Sequence, residues 1–247
     1  MRKIENIIYN SHNMMLDLFL PQGESKATFI YFHGGGIESG SRKDIGEFPK
    51  YLTKHGIAVV SVEYRMYPKA QYPEFIEDGA DAVLWVKENL AQYGFSDNFF
   101  IGGSSAGAYI SMMLCFCNSF FEKRGLKQSE IQGYFHDAGQ PTVHFNVLKQ
   151  RGIDTRRIVV DEMAPLYYVG EAEEYPPMMF IVSDDDMQNR FEQTMLMIST
   201  LKHFGYEQNK ILYRIMNGKH CSYIHTFDQN GDSILGKLIK EFIGKFG

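Results

Sequence analysis

The sequence predicts an α/β protein whose mostly parallel central sheet is covered by helices on both faces. Three observations favour this class. Apolar segments of strand length recur along the 247 residues, segments with helical spacing separate them, and glycine-rich stretches follow two of the strands. In such sheets, ligand sites lie beyond the carboxyl ends of the strands. The residues that directly follow the predicted strands are therefore the candidates for function.

Eight segments have the character of strands. Two edge strands are expected within residues 4–20, because residues 16–20 alternate with a period of two. The other six strands are predicted at residues 27–32, 57–62, 99–101, 131–135, 178–182 and 211–215. Because strands that alternate with helices form parallel sheets, we expect one α/β domain over residues 1–247.

Five helices are predicted between and after these strands. Their ranges are 44–54, 73–93, 106–117, 191–204 and 234–246. Pro73 opens the second of them, and Gly205 follows the end of the fourth. The segment between the predicted strands at residues 131–135 and 178–182 shows no regular period, so we expect residues 137–175 to form a long irregular connection.

Composition and charge argue against several classes of binding partner for this protein. The net charge of −5 and the absence of a basic run argue against a nucleic-acid partner. The three cysteines match neither a disulfide framework nor the spacing of metal ligands, and we expect no metal and no cofactor. No apolar run reaches the roughly 18–20 residues of a membrane span. Residues 1–6 lack a signal-peptide pattern, so we expect a cytoplasmic protein without a membrane partner.

A candidate nucleophile lies between the strand at residues 99–101 and the helix that begins at Ala106. Residues 103–107 read Gly-Ser-Ser-Ala-Gly, a G-x-S-x-G motif in the strand–turn–helix context of a nucleophile elbow. In that turn, Ser105 would present its hydroxyl at the edge of the sheet and at a helix N-terminus, which favours developing negative charge. These five residues alone are equally consistent with a glycine-rich turn before a helix.

A serine hydroxyl needs a base to take its proton, and the base is usually a histidine oriented by a carboxylate. In folds with this elbow, the acid and then the histidine follow the serine in the chain. Asp184, Asp185 and Asp186 come directly after a predicted strand. Three adjacent carboxylates cannot all be buried without partners. We favour Asp186, which is far enough past the strand to reach over the sheet edge, and keep the other two as alternatives.

Two histidines follow the last predicted strand. His220 lies in the turn directly after it, and His225 is a second candidate a little further on. The position of His220 favours it as the base over a solvated surface histidine. His136 and His144 precede the acid, which is the wrong order for this arrangement, although both could lie near a binding pocket.

Backbone N–H groups are expected to stabilise negative charge on a substrate oxygen at this site. One of them should belong to Ala106, the residue after the serine. Others should come from residues 33–36, which read His-Gly-Gly-Gly and directly follow a predicted strand. Glycine lets backbone approach a substrate closely, whereas a merely flexible loop would not explain the position of these residues.

Taken together, the motifs resemble those of the α/β-hydrolase superfamily, and within it the hormone-sensitive-lipase-like esterases, among them the small acetyl esterases. Residues 16–21 look like the family's opening strand, and residues 31–36 look like its oxyanion loop. Residues 63–68 are similar to its Tyr-Arg-Leu-x-Pro segment, and residues 73–86 to a helix with a Pro-x-x-x-x-Asp motif. The segment 103–107 is similar to its Gly-Asp-Ser-Ala-Gly elbow, so the resemblance covers most of the chain.

The resemblance implies the α/β-hydrolase fold and a role for each matched residue. The catalytic residues would be Ser105, Asp186 and His220, the oxyanion hole would be formed by the backbone of Gly34, Gly35 and Ala106, and the candidate pocket-lining residues are His33, Ser104 and His144. Some positions depart from the family pattern. Ser104 replaces the usual aspartate, and Met187 and Cys221 replace the residues that usually follow the acid and the histidine.

The implied activity is hydrolysis of small-molecule carboxylic esters with short acyl groups, acetyl above all, and acetylated carbohydrates are among the expected substrates. Only 32 residues precede His33 and they read as strands, so we expect no large cap domain and an open site. The same catalytic groups would also serve an amidase or a peptidase. A catalytically inactive hydrolase-like binding module is a weaker alternative, because every motif of the active site is present.

Overall fold

The computed structural model describes residues 1–247 and is built around one eight-stranded sheet. The strands are β1 Arg2–Ile8, β2 Met15–Leu20, β3 Ala27–Phe32, β4 Ile57–Val62, β5 Phe99–Ser104, β6 Ile131–Asp137, β7 Met178–Asp185 and β8 Ile211–Lys219. Their order in the sheet is β1-β2-β4-β3-β5-β6-β7-β8. The two pairings that involve β2 are antiparallel and all the others are parallel. The predicted mostly parallel sheet is therefore confirmed.

Helices cover both faces of this sheet, as predicted. They are α1 Phe48–Lys54, α2 Glu74–Glu88, α3 Leu90–Tyr93, α4 Ala106–Phe116, α5 Ser119–Glu122, α6 Phe145–Gln150, α7 Arg190–His203 and α8 Ile234–Phe246. Successive side chains of a strand point to opposite faces, so Ile30 and Phe32 enter one core while Phe29 and Tyr31 enter the other. No helix combines the length and apolar character needed to cross a membrane.

Three helix predictions need correction. The first helix begins at Phe48 rather than at residue 44, because Gly46 has a positive φ of 59° and Pro49 suits only the first turn. The second helix is interrupted at Asn89, whose φ of −112° is not helical, so α2 and α3 are separate. The connection predicted to be irregular contains α6 and a 3₁₀ turn at Pro165–Tyr168.

The two strands that lead to the predicted acid and base extend beyond their apolar runs. In β7 and β8, Ser183 is paired with Met216 and Asp185 with Lys219. The ladder of hydrogen bonds continues here through polar residues, which the apolar pattern alone does not mark. As a result, Asp186 and His220 each lie one residue past the end of a strand, at the same edge of the sheet.

One buried histidine, His136, lies close to this edge without reaching solvent. His136 on β6 packs against the rings of Tyr134 and Phe180, at centroid distances of 5.8 and 5.1 Å. Its Nδ1 is 2.9 Å from Ser111 Oγ, whereas Nε2 has no hydrogen-bond partner. Burial lowers the pKa of His136 to about 3. A group of this kind makes the fold sensitive to acid.

We expect wild-type protein to lose stability relative to a His136→Phe variant as the pH falls from about 6.5 towards 3. The unfolded chain takes up a proton on this histidine near pH 6.5, whereas the folded protein does not, so the unfolded state gains protons first. The full effect of such a shift is about 5 kcal/mol. Denaturant unfolding of both proteins between pH 7.5 and 5 measures the difference, with the exposed His12→Asn as control. A difference that does not change with pH would contradict the prediction.

Candidate active site

Ser105 lies at a sharp turn between β5 and α4. Its φ of 55° and ψ of −114° are rare for a residue with a side chain, as expected for a strained elbow. A Cβ atom at Gly107 would lie 2.0 Å from the carbonyl oxygen of Phe32, and one at Gly103 would lie 2.4 Å from the carbonyl carbon of Gly107. The two glycines therefore allow the turn to fit against β3. The N–H of Ser105 donates to the carbonyl oxygen of Asp137 at 2.7 Å, which holds the turn.

The structure brings the predicted nucleophile, base and acid together in one chain of hydrogen bonds. His220 Nε2 lies 2.8 Å from Ser105 Oγ, and His220 Nδ1 lies 2.5 Å from Asp186 Oδ1. The serine hydroxyl can therefore donate to the imidazole while the opposite N–H donates to the carboxylate. The Asp186 side chain is fully buried, whereas 21% of the His220 side chain remains exposed, so the histidine faces the open side of the site.

Backbone donors hold Asp186 in this orientation. The N–H groups of Ser183 and Met187 donate to its two oxygens at 3.1 and 2.7 Å. Burial favours the protonated acid, but hydrogen bonds and charge from His220, together with these N–H groups, hold the pKa of Asp186 below its ordinary value. An ionised carboxylate is the form that can orient the imidazole and stabilise its cation.

The alternative acid and base residues point elsewhere. Asp184 accepts hydrogen bonds from the Asn217 side chain and from the N–H of Gly218, at 3.0 and 2.9 Å. Asp185 is exposed and lies 3.2 Å from Lys219 Nζ. His225 is exposed as well. Of the candidates that the sequence left open, only Asp186 and His220 form the arrangement with Ser105.

The glycine-rich loop after β3 runs beside the serine. A Cβ atom at Gly34 would lie 3.3 Å from Ser105 Cβ, so the loop backbone approaches closely. Gly35 has a φ of 120°, and its carbonyl accepts from the N–H groups of Glu38 and Ser39 at 3.1 and 3.0 Å. The N–H groups of Gly34 and Gly35 donate to no other part of the protein. The N–H of Ala106 starts α4 and has no partner in the helix, so three N–H donors are left for a ligand.

His33 is buried and holds this loop in place rather than lining a pocket. Its Nδ1 lies 2.7 Å from the carbonyl oxygen of Gly34, and its Nε2 lies 3.1 Å from Glu63 Oε1. The ring stacks on Tyr64 at 4.4 Å, and the Tyr64 hydroxyl donates to the His33 carbonyl at 2.9 Å. Residues Glu63 and Tyr64, matched to a family motif without an assigned role, thus position the loop.

A buried polar network lies directly behind the elbow. Ser104 is buried there; it accepts from the Tyr31 hydroxyl at 2.9 Å and donates to Asp137 Oδ2 at 2.5 Å. The Tyr223 hydroxyl donates to the other carboxylate oxygen of Asp137. Burial raises the pKa of Asp137 to about 6, against the opposing effect of its hydrogen bonds with Ser104 and Tyr223. The network connects the serine turn to the loop that carries His220.

Sequence reasoning missed the roles of Asp137 and Tyr223. The only sequence feature that could have indicated them is their position: Asp137 is the last residue of β6, and Tyr223 follows β8 at the same edge of the sheet as Ser105. The prediction that Ser104 and His144 line a pocket is also corrected, since both side chains are buried. His144 caps α6 by accepting from the N–H of Asn146 at 3.2 Å. The side chains of Ser104 behind the elbow and of His144 at the start of α6 therefore serve internal hydrogen bonds.

The arrangement is suited to acyl transfer. A hydroxyl hydrogen-bonded to an imidazole, which is in turn bonded to an ionised carboxylate, is an activated nucleophile. Unpaired N–H donors beside the hydroxyl can bind an oxygen that becomes negative during attack. No group of three or more His, Cys, Asp or Glu side chains in residues 1–247 is arranged to hold a metal ion.

Comparison with known proteins agrees with this geometry. The model of the BD-FAE family matches residues 16–148, which is more than half of the chain and includes the glycine-rich loop and the elbow. The chain belongs to the BD-FAE family. This family member also matches an AB hydrolase superfamily protein of Schizosaccharomyces pombe, with 34% identity over 103 residues. It matches an acetyl esterase of Salmonella paratyphi B with 29% identity over 97 residues.

These curated relatives are matched over a limited part of their length. The matches cover 39% and 38% of this chain and 30% of each relative, so the chain spans about a third of their length. The fold comparison extends over the whole chain. Esterase 2 of Thermogutta terrifontis superposes with a TM-score of 0.79 at 17% identity, covering 100% of this chain and 94% of that one. The α/β-hydrolase fold and the resemblance to α/β-hydrolase esterases are thus confirmed.

Proposed function

We propose that this protein hydrolyses carboxylic esters with short acyl groups, acetyl above all, through Ser105, His220 and Asp186. The observation that carries the proposal is the continuous pair of hydrogen bonds, 2.8 and 2.5 Å long, that joins the three side chains at the carboxyl edge of the sheet. Their chain order of serine, acid and histidine is the one expected for this elbow.

The reaction has two steps. In the first, Ser105 Oγ attacks the ester carbonyl carbon while His220 Nε2 takes the serine proton. The bond from that carbon to the alcohol oxygen then breaks, and His220 gives the proton to the departing alcohol. In the second step, water attacks the acyl-serine, His220 takes a proton from the water and returns it to Ser105 Oγ as the carboxylic acid leaves.

Two further groups act in both steps. Asp186 holds the imidazole with Nε2 towards the serine and stabilises the cation that forms on His220. The N–H groups of Gly34, Gly35 and Ala106 are proposed to bind the carbonyl oxygen as it becomes negative. Each such donor is worth roughly a factor of 10²–10³ in turnover. Because these donors belong to the backbone, their placement depends on the loop that His33 anchors.

Short acyl groups are favoured by what surrounds the site. Within residues 1–247, the segment before the glycine-rich loop forms β1, β2 and β3 and contributes no helix beside the site. Structures of the Thermogutta terrifontis esterase contain propionate and butyrate, and the Salmonella relative is named an acetyl esterase. An open site also leaves room for a large alcohol part, and acetylated carbohydrates are proposed among its substrates.

Hydrolysis of p-nitrophenyl esters from acetate to decanoate tests the proposal. We expect kcat/KM to be highest for acetate or butyrate and to fall steadily towards decanoate, because long chains find no apolar surface that removes them from water. Fast cleavage of decanoate with none of acetate would contradict the proposed acyl group. Absence of turnover on every ester, with turnover on anilides of the same acids, would indicate an amidase instead.

A further inference from the structure

A cavity of about 310 Å³ lies beside the proposed acid. Its wall includes Arg156, Arg157 and Arg190, and none of its lining residues is acidic. The chain as a whole carries a net charge of −5, so a cavity with three arginines and no carboxylate departs from the average character of the protein.

The cavity borders the catalytic groups on two sides. Residues 187–190 line it and directly follow Asp186 in the chain. Phe145 also lines it, and the edge of its ring lies 3.1 Å from the position that a Cβ atom would take at Gly36, in the glycine-rich loop. The cavity therefore lies between the loop that follows Asp186 and the side chain of Phe145, which lies beside the glycine-rich loop.

The positive charge in the cavity is only partly neutralised by the protein. Arg156 is paired with Asp154 at 2.6 Å, but Asp154 pairs with no other arginine. Arg157 is exposed and lies within ion-pair distance of no carboxylate. An exposed guanidinium without a carboxylate partner keeps its N–H donors available for a ligand that enters the cavity.

Arg190 adds a second charge of this kind. It is only 3% exposed, and its guanidinium donates to neutral acceptors, the carbonyl oxygen of Ala138 and the side-chain oxygen of Gln140. The nearest acid along the chain, Asp186, is engaged by His220. Two guanidinium groups therefore contribute positive charge to the cavity without a paired carboxylate, which favours an anionic ligand.

The remaining lining residues suit the body of such a ligand. Phe145 lines the cavity together with Ile158 and Met187, which are 55% and 43% exposed. Exposed apolar side chains next to cationic ones provide a surface for a ring or short carbon skeleton that carries a negative group. The volume of about 310 Å³ is at the lower end of the range for small-molecule sites.

We infer that this cavity binds a carboxylate on the alcohol part of the ester, so that the preferred substrates are short-chain acyl esters of hydroxy acids. The inference rests on the proposed function. Because the proposed acyl group is short, it remains close to Ser105, and only the alcohol part is long enough to extend into the cavity. The bidentate geometry of a guanidinium matches a carboxylate, and Arg157 is accessible to form this contact.

The test compares 4-acetoxybenzoate with 4-acetoxybenzamide, which share the acetyl group and the ring but differ in charge. For each ester, kcat/KM is divided by the rate constant of its alkaline hydrolysis. We expect this normalised value to be about ten times higher for the anionic ester than for the neutral one. Arg157→Gln should bring this ratio close to one. Arg214→Gln, which removes an exposed arginine of β8 that is paired with Glu241, should keep the wild-type ratio. Because the protein carries a net charge of −5, its overall electrostatic field repels the anionic ester. A preference for that ester would therefore come from local positive charge.

The outcomes separate this inference from the proposed function. If kcat/KM divided by the alkaline rate constant is equal for the two esters in the wild-type protein, or if the ratio is unchanged in Arg157→Gln, the inference is overturned. Hydrolysis of the two esters would still leave the esterase proposal standing. No hydrolysis of either ester and none of p-nitrophenyl acetate would overturn the proposed function, and the inference with it. An equal loss of ratio in Arg214→Gln would show that overall charge rather than the cavity sets the preference.

Discussion

Replacement of Ser105 by alanine should lower kcat for p-nitrophenyl acetate by a factor on the order of 10⁴–10⁶. The variant retains the N–H donors and His220, so it can still bind and polarise an ester. It lacks the oxygen that forms the acyl-enzyme, and the reaction must then proceed by direct attack of water. A burst of p-nitrophenolate followed by steady turnover in the wild-type protein, absent in the variant, would identify the lost covalent step.

The structure supplies a matched control for this substitution. Ser199 lies on the exposed face of α7, away from the elbow, and Ser199→Ala should retain full activity. Thermal unfolding of both variants checks the fold, because the backbone at position 105 is strained and the substitution should remove only the hydroxyl. Turnover of Ser105→Ala at more than a hundredth of the wild-type rate would mean that another group is the nucleophile.

Replacement of Asp186 by asparagine should lower kcat by a factor of about 10⁴. The amide keeps the shape of the carboxylate but carries no charge, so it cannot stabilise the cation on His220. Its NH₂ group would also favour the wrong tautomer, with the Nε2 proton directed at Ser105. The loss should appear in kcat rather than in KM, because the acid acts on the imidazole and does not contact the ester.

The adjacent aspartates are the controls for this prediction. Asp185→Asn removes the same charge one residue away, from an exposed side chain that contacts Lys219. We expect its kcat to stay within a factor of two or so of wild type, since surface ion pairs contribute little. A larger loss in Asp185→Asn or Asp184→Asn than in Asp186→Asn would show that the acid has been assigned to the wrong residue.

Strands β3 and β4 were predictable because their residues are buried on both faces of the sheet. The runs that form β3 and β4 are continuous and apolar, and the structure reproduces their predicted limits at both ends. Where a strand continues through polar residues, as at Ser183 to Asp185, its end was not predictable, because partner strands rather than apolar character extend it. Helix α6 was missed for a similar reason, since its start depends on a cap from the buried His144.

The sequence alone determined the order in which the candidate site residues occur along the chain. A glycine-rich loop after β3, a serine between two glycines after β5, carboxylates after β7 and a histidine after β8 are local patterns, each read from a few neighbouring residues. Because parallel strands place their carboxyl ends at one edge, this order was enough to predict that the four groups meet.

Only the tertiary structure decided which side chain does what at that edge. Asp186 differs from its two neighbours by the N–H groups of Ser183 and Met187 that hold it and by the histidine it faces. Ser104 became part of a buried network because Asp137 lies on the adjacent strand. The side-chain partners Asp137 of Ser104 and His220 of Asp186 lie 33 and 34 residues away in the chain, and the energy of a buried polar group depends on whether such partners are present.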